Sequence, residues 1–227
     1  SITSTVSANQ TAGFSIVNWT GTGSAATIGH GLNAVPKTII VKKTDGSGSA
    51  SWVVYNGNLT YSKYITLNGS AAAASSDATV WNNTAPTSSV FSVGSWGDVN
   101  GNGVNILAYV FADKTGYCKT GRYDGNGNVD GNFIYLGFKP TYFLVKRYDS
   151  TGSWFIKDGT NSGALLSAAN TPNHANPNET QHPSADNTSA NNKASAYAMD
   201  FVSNGVKIRG DNGDINTSGG DYIYLAM

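Results

Sequence analysis

The feature that most constrains this chain is an internal repeat. Four segments of the first half recur in the same order in the second half, and the longest recurs at an offset of 104, from residue 36 to residue 140. The matched pairs are residues 19–23 with 123–127, 36–45 with 140–149, 51–57 with 153–159, and 99–103 with 215–219. A unit of about a hundred residues is longer than solenoid repeats, which span roughly 20 to 50 residues. The sequence therefore predicts duplication of a whole small domain, with domains at residues 1–113 and 114–227.

The composition predicts strands and turns in each copy. Only 12% of the residues are charged, against roughly 25% in an average soluble domain, and 27 residues are glycine. Helix formers never cluster with helical spacing, and Glu179 is the only glutamate. Runs rich in β-branched and aromatic residues alternate instead with Gly, Asn, Asp and Ser. We therefore expect an all-β fold of two tandem homologous β-sandwiches, jelly-roll or lectin-like, of about 110 residues each, with almost no helix.

The repeat and the turn residues together locate the strands. The predicted strands are residues 14–19, 38–43, 51–55, 64–67, 90–93 and 105–111 in the first copy, and 133–136, 142–147, 153–157, 198–202, 206–209 and 222–226 in the second. Asn204 and Gly205 both tolerate positive φ, so we expect a tight hairpin there. Residues 167–193 are rich in Asn, Ala, Pro, Ser and Thr and are predicted to form a long polar surface loop.

The charge balance excludes the usual electrostatic partners. The 14 basic residues balance the 14 acidic ones, so the chain lacks the net positive charge that non-specific binding to nucleic acids or anionic membranes relies on. No apolar run approaches the roughly 18 to 20 residues of a membrane span. We therefore expect no nucleic-acid partner and no membrane insertion.

A search for catalytic groups finds no recognisable constellation. His30 lies between two glycines and is interpreted as a turn residue, while His174 and His182 lack the compact spacing of zinc ligands. Cys118 is the only cysteine and has no histidine near it in the sequence, which is typical of a buried, inert thiol. We therefore expect that the protein is not an enzyme and has no catalytic residues.

Two Asn- and Gly-rich segments fit the beginning of the calcium-loop pattern. Alternating side-chain oxygens with a glycine at the sixth position can wrap a hard cation, and Asp98, Asn100 and Asn102 precede Gly103 in this way. The second segment has a similar alternation at Asp124, Asn126, Asn128 and Asp130. Neither segment has the closing glutamate, so β-turns are the favoured interpretation and calcium is the alternative. No other cofactor is expected.

The five tryptophans supply the candidate binding residues. Trp52 and Trp154 are matched by the repeat and are predicted to lie in the core. Trp81 and Trp96 have no counterpart in the second copy and lie among Gly, Ser and Asn, so we expect them to stay partly exposed. Aromatic faces stack on sugar rings and form receptor contacts when they are exposed. Trp81 and Trp96 are therefore the candidate ligand-binding residues.

Several phrases of the sequence resemble a known group of proteins. Residues 19–24 (WTGTGS), 28–32 (IGHGL), 81–94 (WNNTAPTSSVFSVG) and 205–210 (GVKIRG) are similar to segments of modules in virion and tail proteins of bacteriophages, many from marine sources. The resemblance extends from about residue 13 to residue 227. It implies a virion structural protein, located on a tail appendage or on the capsid surface and extracellular once the particle is released, and it supplies no catalytic residue.

Three functions follow as hypotheses. The first is a tail fibre, appendage or receptor-binding module that contacts host surface glycan and works as a homo-oligomer, a trimer in a fibre. The second is a capsid decoration or assembly protein that binds other virion subunits. The third is a glycan hydrolase, which requires two carboxylates about 5 to 10 Å apart in a cleft. The carboxylates closest in sequence, Asp124 with Asp130 and Asp211 with Asp214, lie among glycines and asparagines as turn residues do.

Overall fold

Antiparallel strands dominate both halves of the chain. The structure, a computed structural model, describes residues 1–45, 50–75, 78–159 and 195–227. It divides into two units, Ser1–Lys114 and Thr115–Met227, so the boundary lies one residue beyond the predicted end of the first domain. Among these described residues, no helix has the length and apolar character needed to cross a membrane. The predicted polar loop at residues 167–193 lies outside them.

The first unit is built around one large sheet and one small one. Its elements are β1 (Ser4–Asn9), β2 (Phe14–Thr20), β3 (Ala26–Gly29), β4 (Thr38–Lys43), β5 (Trp52–Asn56), β6 (Lys63–Thr66), β7 (Ala74–Ser75), α1 (Ala78–Trp81), β8 (Val90–Val93), α2 (Gly97–Asn100) and β9 (Asn105–Phe111). The large sheet has the order β1-β2-β9-β4-β5-β6-β7, and β3 pairs with β8. Every pairing between these strands is antiparallel.

The second unit has a four-stranded sheet and a three-stranded sheet. Its elements are β10 (Lys119–Asp124), β11 (Phe133–Tyr135), β12 (Tyr142–Arg147), β13 (Trp154–Asp158), the 3₁₀ helix η1 (Ser195–Tyr197), β14 (Met199–Val202), β15 (Gly205–Ile208), α3 (Gly213–Asn216) and β16 (Asp221–Ala226). Among the described residues the sheet orders are β10-β16-β12-β13 and β11-β15-β14.

In each unit the two sheets share one apolar core, because alternate residues of every strand point to the same side. In the first unit, Val17 of β2, Val41 of β4 and Ala108 of β9 meet Ile28 of β3 and Phe91 of β8. In the second unit, residues of the four-stranded sheet meet residues of the three-stranded sheet in the same way; they include Tyr123, Phe143, Tyr224, Ile134, Phe201 and Val206. The all-β expectation with almost no helix is confirmed, and the helices have three or four residues each.

Each predicted strand is present with bounds within one residue, and the strands that the sequence did not predict are the polar or short ones. β1 has the sequence STVSAN and is exposed along most of its length. β10 has the sequence KTGRYD, in which charges and a glycine hide the alternation. These strands form because their partners β2 and β16 supply the backbone hydrogen bonds, which is a tertiary effect that local composition does not reveal.

The predicted tight hairpin joins β14 to β15, but its position is one residue earlier than expected. Val202 pairs directly with Gly205, so Ser203 and Asn204 form the two-residue loop. Gly205 belongs to the strand because a Cβ atom there would lie 2.1 Å from the carbonyl oxygen of Ile134. Close approach of the neighbouring strand, and not a positive φ, therefore explains this glycine.

The two units share their main connectivity. The order β2-β9-β4-β5 in the first unit corresponds to β10-β16-β12-β13 in the second, and a four-residue helix precedes the last strand of each unit. Gly23 donates to the Asn100 carbonyl at 2.7 Å, and Gly127 donates to the Asn216 carbonyl at 2.8 Å. This correspondence supports the predicted duplication, which stays a prediction about the history of the chain.

Candidate functional site

The two tryptophans predicted to be exposed have different environments. Trp81 lies at the end of α1, is 2% exposed and packs edge-on against Tyr55 with ring centroids 5.7 Å apart. The prediction that Trp81 is exposed is wrong, because the short helix α1 turns this ring into the core despite its polar sequence neighbours. Trp96 is half-buried and packs against Tyr64 with centroids 5.2 Å apart. Of the two, only Trp96 is partly accessible to solvent.

A row of aromatic rings lies on the face of the large sheet opposite the core. We call Phe14, Tyr109 and Trp52 the sheet-face strip. Tyr109 lies 6.4 Å from Phe14 and 6.5 Å from Trp52 between ring centroids, and both interplanar angles are 9°. The Lys42 ammonium lies 5.5 Å from the centre of the Trp52 ring, within the range of a cation–π contact. The strip therefore combines near-parallel rings with one cation.

The alternation of β2, β9 and β5 explains the strip. Val17, Ala108 and Val53 point into the core, so residues an odd number of positions away on the same strands point to the opposite face. Trp52 is half-buried on that face, and the prediction that it belongs to the core is wrong. Trp154, its repeat partner, is 3% exposed and therefore buried as predicted, but it precedes the core residue Phe155 and so points to the face opposite the second core.

A second group of exposed apolar side chains lies on and beside β11, and we call it the β11 patch. Phe133, Tyr135 and Val129 are 47%, 61% and 60% exposed. Lys119 donates from Nζ to the Tyr135 carbonyl at 2.8 Å, and its ammonium lies 5.3 Å from the centre of the Tyr135 ring. The Phe133 ring covers Gly205, where an added Cβ would lie 3.0 Å from the ring. This patch is not among the predicted binding residues, because the sequence indicates exposed aromatic rings only at Trp81 and Trp96.

The first calcium-like segment is used for structural hydrogen bonds. Asp98 lies in α2, and its Oδ2 accepts from the Ser51 amide at 2.9 Å. Asn100 is completely buried, whereas Asn102 is exposed. These three side chains therefore have different surroundings and functions, and Asn100 is the residue that organises the segment.

The buried asparagine recurs in both units. The Asn100 Oδ1 accepts from the Thr22 amide at 3.0 Å, and its Nδ2 donates to the Ser24 carbonyl at 2.7 Å and the Gly94 carbonyl at 2.8 Å. The Asn216 Oδ1 accepts from the Asn126 amide at 2.9 Å, and its Nδ2 donates to the carbonyls of Asn128 at 2.8 Å and Gly210 at 2.9 Å. Each amide therefore ties two loops together through three hydrogen bonds to the backbone.

The second calcium-like segment forms successive side-chain turns. The Asn126 Oδ1 accepts from the Asn128 amide at 3.0 Å, and the Asn128 Oδ1 accepts from the Asp130 amide at 2.9 Å. The Asp130 carboxylate lies 2.7 Å from the Lys207 Nζ, and this hydrogen bond lowers the pKa of Asp130. Asp124 begins the segment at the end of β10, where the Asn132 Nδ2 donates to its carbonyl. Such turns fit the favoured interpretation.

Metal-ligating groups do not converge in the described part of the chain. There, no cluster of three or more His, Cys, Asp or Glu side chains could hold a metal ion. His30 is fully buried, and its Nδ1 accepts from the Leu32 amide at 3.3 Å. Burial lowers the pKa of His30. Cys118 is buried. The candidates His174 and His182 lie outside the described residues.

Three carboxylates lie close together at one end of strands β10, β16 and β12 of the four-stranded sheet. Asp124 and Asp221 are directly opposite on β10 and β16, and the Asp149 Oδ1 accepts from the Asp221 amide at 3.2 Å. Burial, followed by the hydrogen bond and the charge of Asp124, raises the pKa of Asp221. Asp149 is held by Arg147, with Nε at 2.8 Å from Oδ1, and this bond lowers the pKa of Asp149.

In the first unit the repeat matches these three aspartates with two neutral residues, Thr20 and Asn105, and with one aspartate, Asp45. Thr20 donates to the Asn105 Oδ1 at 3.2 Å, and the Asn105 Nδ2 donates to the Asp45 Oδ2 at 2.6 Å. Asn105 begins β9 as Asp221 begins β16. The asparagine can donate to a neighbouring carboxylate, whereas an ionised aspartate cannot. The second unit therefore carries a repulsion that the first unit avoids.

Asp221→Asn is expected to stabilise the second unit at neutral pH. The pKa of Asp221 is raised in the folded state, so folding favours the protonated carboxyl. Asp221 therefore adds to the free energy of unfolding below its unfolded pKa of about 3.9, and this contribution is lost as the pH rises through its folded pKa. Because the side chain is partly exposed and water screens the repulsion, we expect Asp221→Asn to raise the free energy of unfolding by only about 0.5 kcal/mol. Denaturant titrations at about pH 7 and about pH 3 measure it, and the gain should vanish at the lower pH.

The matched variant in the first unit is Asn105→Asp, which should lower stability at neutral pH by removing the bond to Asp45 and adding a charge beside it. An equal effect of Asp221→Asn at both pH values would contradict the electrostatic origin.

Comparison with known proteins gives one match. A family model with the description "Domain of unknown function (DUF7483)" matches residues 1–227. Searches of curated proteins and of solved structures found no match.

Proposed function

The chain belongs to the DUF7483 family, and we propose that it is a bacteriophage virion protein, a tail fibre, appendage or receptor-binding module that contacts host surface glycan. The resemblance of residues 19–24, 28–32, 81–94 and 205–210 to virion modules supports the virion assignment. In this proposal the protein binds its partners without catalysis, works as a homo-oligomer and is exposed on the released particle.

The sheet-face strip is the observation that carries the glycan assignment. Pyranose rings present a flat face of C–H groups that packs on aromatic rings, and their hydroxyls need polar partners beside those rings. Tyr109 and Trp52 supply near-parallel ring faces on a regular strand scaffold, and Lys42 supplies a donor over Trp52. Rings that are held on strands lose little conformational freedom when a ligand binds.

Trp52→Ala is expected to reduce glycan affinity at least about tenfold, which corresponds to about 1.4 kcal/mol. The wild-type chain is first applied to a glycan array, and the affinity for the best-bound glycan is then measured by calorimetry for both proteins. Trp52→Tyr should keep most of the affinity because it retains a stacking face. Thermal unfolding of each variant shows that the fold is intact.

Tyr61→Ala is the matched control, because Tyr61 is an exposed aromatic residue of the same unit outside the strip. It should bind as the wild type does. Trp96→Ala separates the strip from the pair that Trp96 forms with Tyr64. A wild-type chain that binds no glycan on an array of bacterial surface sugars overturns the glycan assignment, and equal losses for Tyr61→Ala and Trp52→Ala overturn the assignment of the site.

The second candidate function is a capsid decoration or assembly protein that binds other virion subunits. One specific observation favours it, namely the exposure of Phe133 and Tyr135 on β11, which lies at the edge of its sheet. Large apolar side chains on an edge strand are a common feature of protein interfaces. The two functions are compatible, because the strip and the β11 patch belong to different units.

A further inference from the structure

The outer edge of β11 presents backbone N–H and C=O groups that are positioned to pair with a further strand. Ile208 donates to the Asn132 carbonyl at 3.0 Å, and Leu136 donates to the Asn204 carbonyl at 2.9 Å. Backbone groups alternate in direction along an antiparallel strand, so Phe133 and Tyr135 direct theirs away from β15. Within the described residues, the hydrogen bond that reaches this edge is the one from Lys119 to the Tyr135 carbonyl.

The equivalent edge in the first unit is paired. Ile28 of β3 is buried opposite Phe91, as Ile134 of β11 is buried opposite Val206. A parallel bridge joins Ile2 to Ile28. The segment at residues 1–4 therefore adds an extended stretch to the outer edge of β3.

The hydrogen bonds of residues 1–4 to β3 identify the equivalent backbone groups of β11. Ile2 donates to the Thr27 carbonyl at 2.9 Å, and the Ser4 Oγ donates to the Gly29 carbonyl at 2.9 Å. Thr27 and Gly29 flank Ile28 as Phe133 and Tyr135 flank Ile134. In the second unit Lys119 provides the bond that Ser4 provides in the first, and the Phe133 carbonyl corresponds to the acceptor of Ile2.

The side chains of the added segment also have a defined orientation. Ile2 packs against the core of the first unit, because directly paired residues point to the same face as their partners. A β-branched residue paired with Ile134 would pack in the same way at the margin of the second core. The residue at the position of Thr3 would then lie beside the exposed side chain of Tyr135.

We propose that β11 is a strand-addition site for an extended segment of a partner protein, which runs parallel to β11 and places a β-branched apolar residue beside Ile134. In the partner segment, the residue two positions after this apolar residue corresponds to Ser4 and faces the Lys119 ammonium. A carboxylate is therefore favoured at that residue. The proposal is independent of glycan recognition, because it concerns a protein partner and the other unit. Strand addition gains affinity from backbone bonds and selectivity from alternate side chains.

The test uses the full chain and a peptide as the probe. The peptide is acetylated Ser-Ile-Thr-Asp-Thr-Val-Ser, which is residues 1–7 with Ser4→Asp. Amide hydrogen exchange of Phe133 and Tyr135 is followed by NMR at increasing peptide concentration. At about 1 mM peptide, we expect exchange at Tyr135 to slow at least about fivefold. The same peptide with Ile2→Pro lacks the N–H that would donate to the Phe133 carbonyl and should have no effect.

Charge provides a second, independent readout. A peptide with Ser4→Lys should bind more weakly than the one with Ser4→Asp, and the Lys119→Ala protein should lose this difference. Unchanged exchange at about 1 mM peptide, or equal effects of the isoleucine and proline peptides, overturns the proposal. Protection of Phe133 and Tyr135 before any peptide is added also overturns it, since the edge is then filled by the chain itself or, if protection depends on protein concentration, by a second copy.

Discussion

Asn216→Ala is expected to lower the free energy of unfolding of the second unit by about 3 kcal/mol. The side chain is completely buried and makes three hydrogen bonds to the backbone of two loops and of residue 210. Alanine leaves the Asn126 amide and two carbonyls without these partners, and each loss costs about 1 kcal/mol. Asn100→Ala should cost a similar amount in the first unit, where the same three bonds are made. Urea denaturation measures both.

Asn102→Ala is the matched control for Asn100→Ala. Asn102 is exposed and lies two positions further along the same segment, so its replacement should change stability by less than about 0.5 kcal/mol. The comparison also tests the calcium alternative for this segment. If both variants lose stability equally, and only when calcium is present, then the two side chains act as ligands and the structural assignment of Asn100 is wrong.

Gly125→Ala is expected to destabilise the second unit by at least about 3 kcal/mol. A Cβ atom at Gly125 would lie 2.2 Å from the Thr217 carbonyl oxygen, which is backbone and cannot rotate away. The backbone of Gly125 cannot shift easily either, because it donates to the Gly220 carbonyl at 2.7 Å and accepts from Gly219 at 3.0 Å. Gly21→Ala should have the same effect in the first unit, since its Cβ would lie 2.2 Å from the Gly101 carbonyl oxygen.

Gly97→Ala is the control for these glycine variants. No atom lies within 4 Å of a Cβ added at Gly97, which begins α2. Alanine there should be neutral or stabilise by up to about 1 kcal/mol, because it restricts the unfolded chain. Thermal and urea unfolding of the four proteins separate steric conflict from the general cost of replacing glycine. A Gly125→Ala protein as stable as Gly97→Ala would show that the loops can move apart.

The central strands of the fold are predictable because they are continuous runs of β-branched and aromatic residues bounded by turn residues. β4, β9 and β12 have the bounds that the sequence predicts, and all three lie in the middle of their sheets. β1 and β10 are not predictable in this way, because they lie at sheet edges and their residues are mostly polar. An edge strand is held by pairing with its neighbour, and local propensity contributes little.

The candidate site is less predictable, because exposure depends on tertiary placement. Trp81 and Trp52 exchange their expected positions: the first is buried by α1, and the second lies on the outer face of β5. The buried asparagines had a signal in the repeat itself, since Asn100 and Asn216 occupy matched places after Val99 and Ile215. The sequence favours β-turns for these glycines and asparagines, whereas the buried side chains of Asn100 and Asn216 also hydrogen-bond to the backbone of the neighbouring loops.

The burial of Asn100 has a consequence for the chemical ageing of the chain. Asparagine followed by glycine deamidates readily in open polypeptide, when the next backbone nitrogen attacks the side-chain carbonyl carbon. In the folded first unit the Gly101 nitrogen is held by its bond to the Gly97 carbonyl, and the Asn100 amide is fixed on both sides. Any opening of the unit removes this protection, and the carboxylate that results cannot donate to the Ser24 and Gly94 carbonyls. Asn216 is followed by threonine, whose branched side chain hinders the attack, so of the two buried asparagines we expect Asn100 to be the more prone to deamidation when its unit opens.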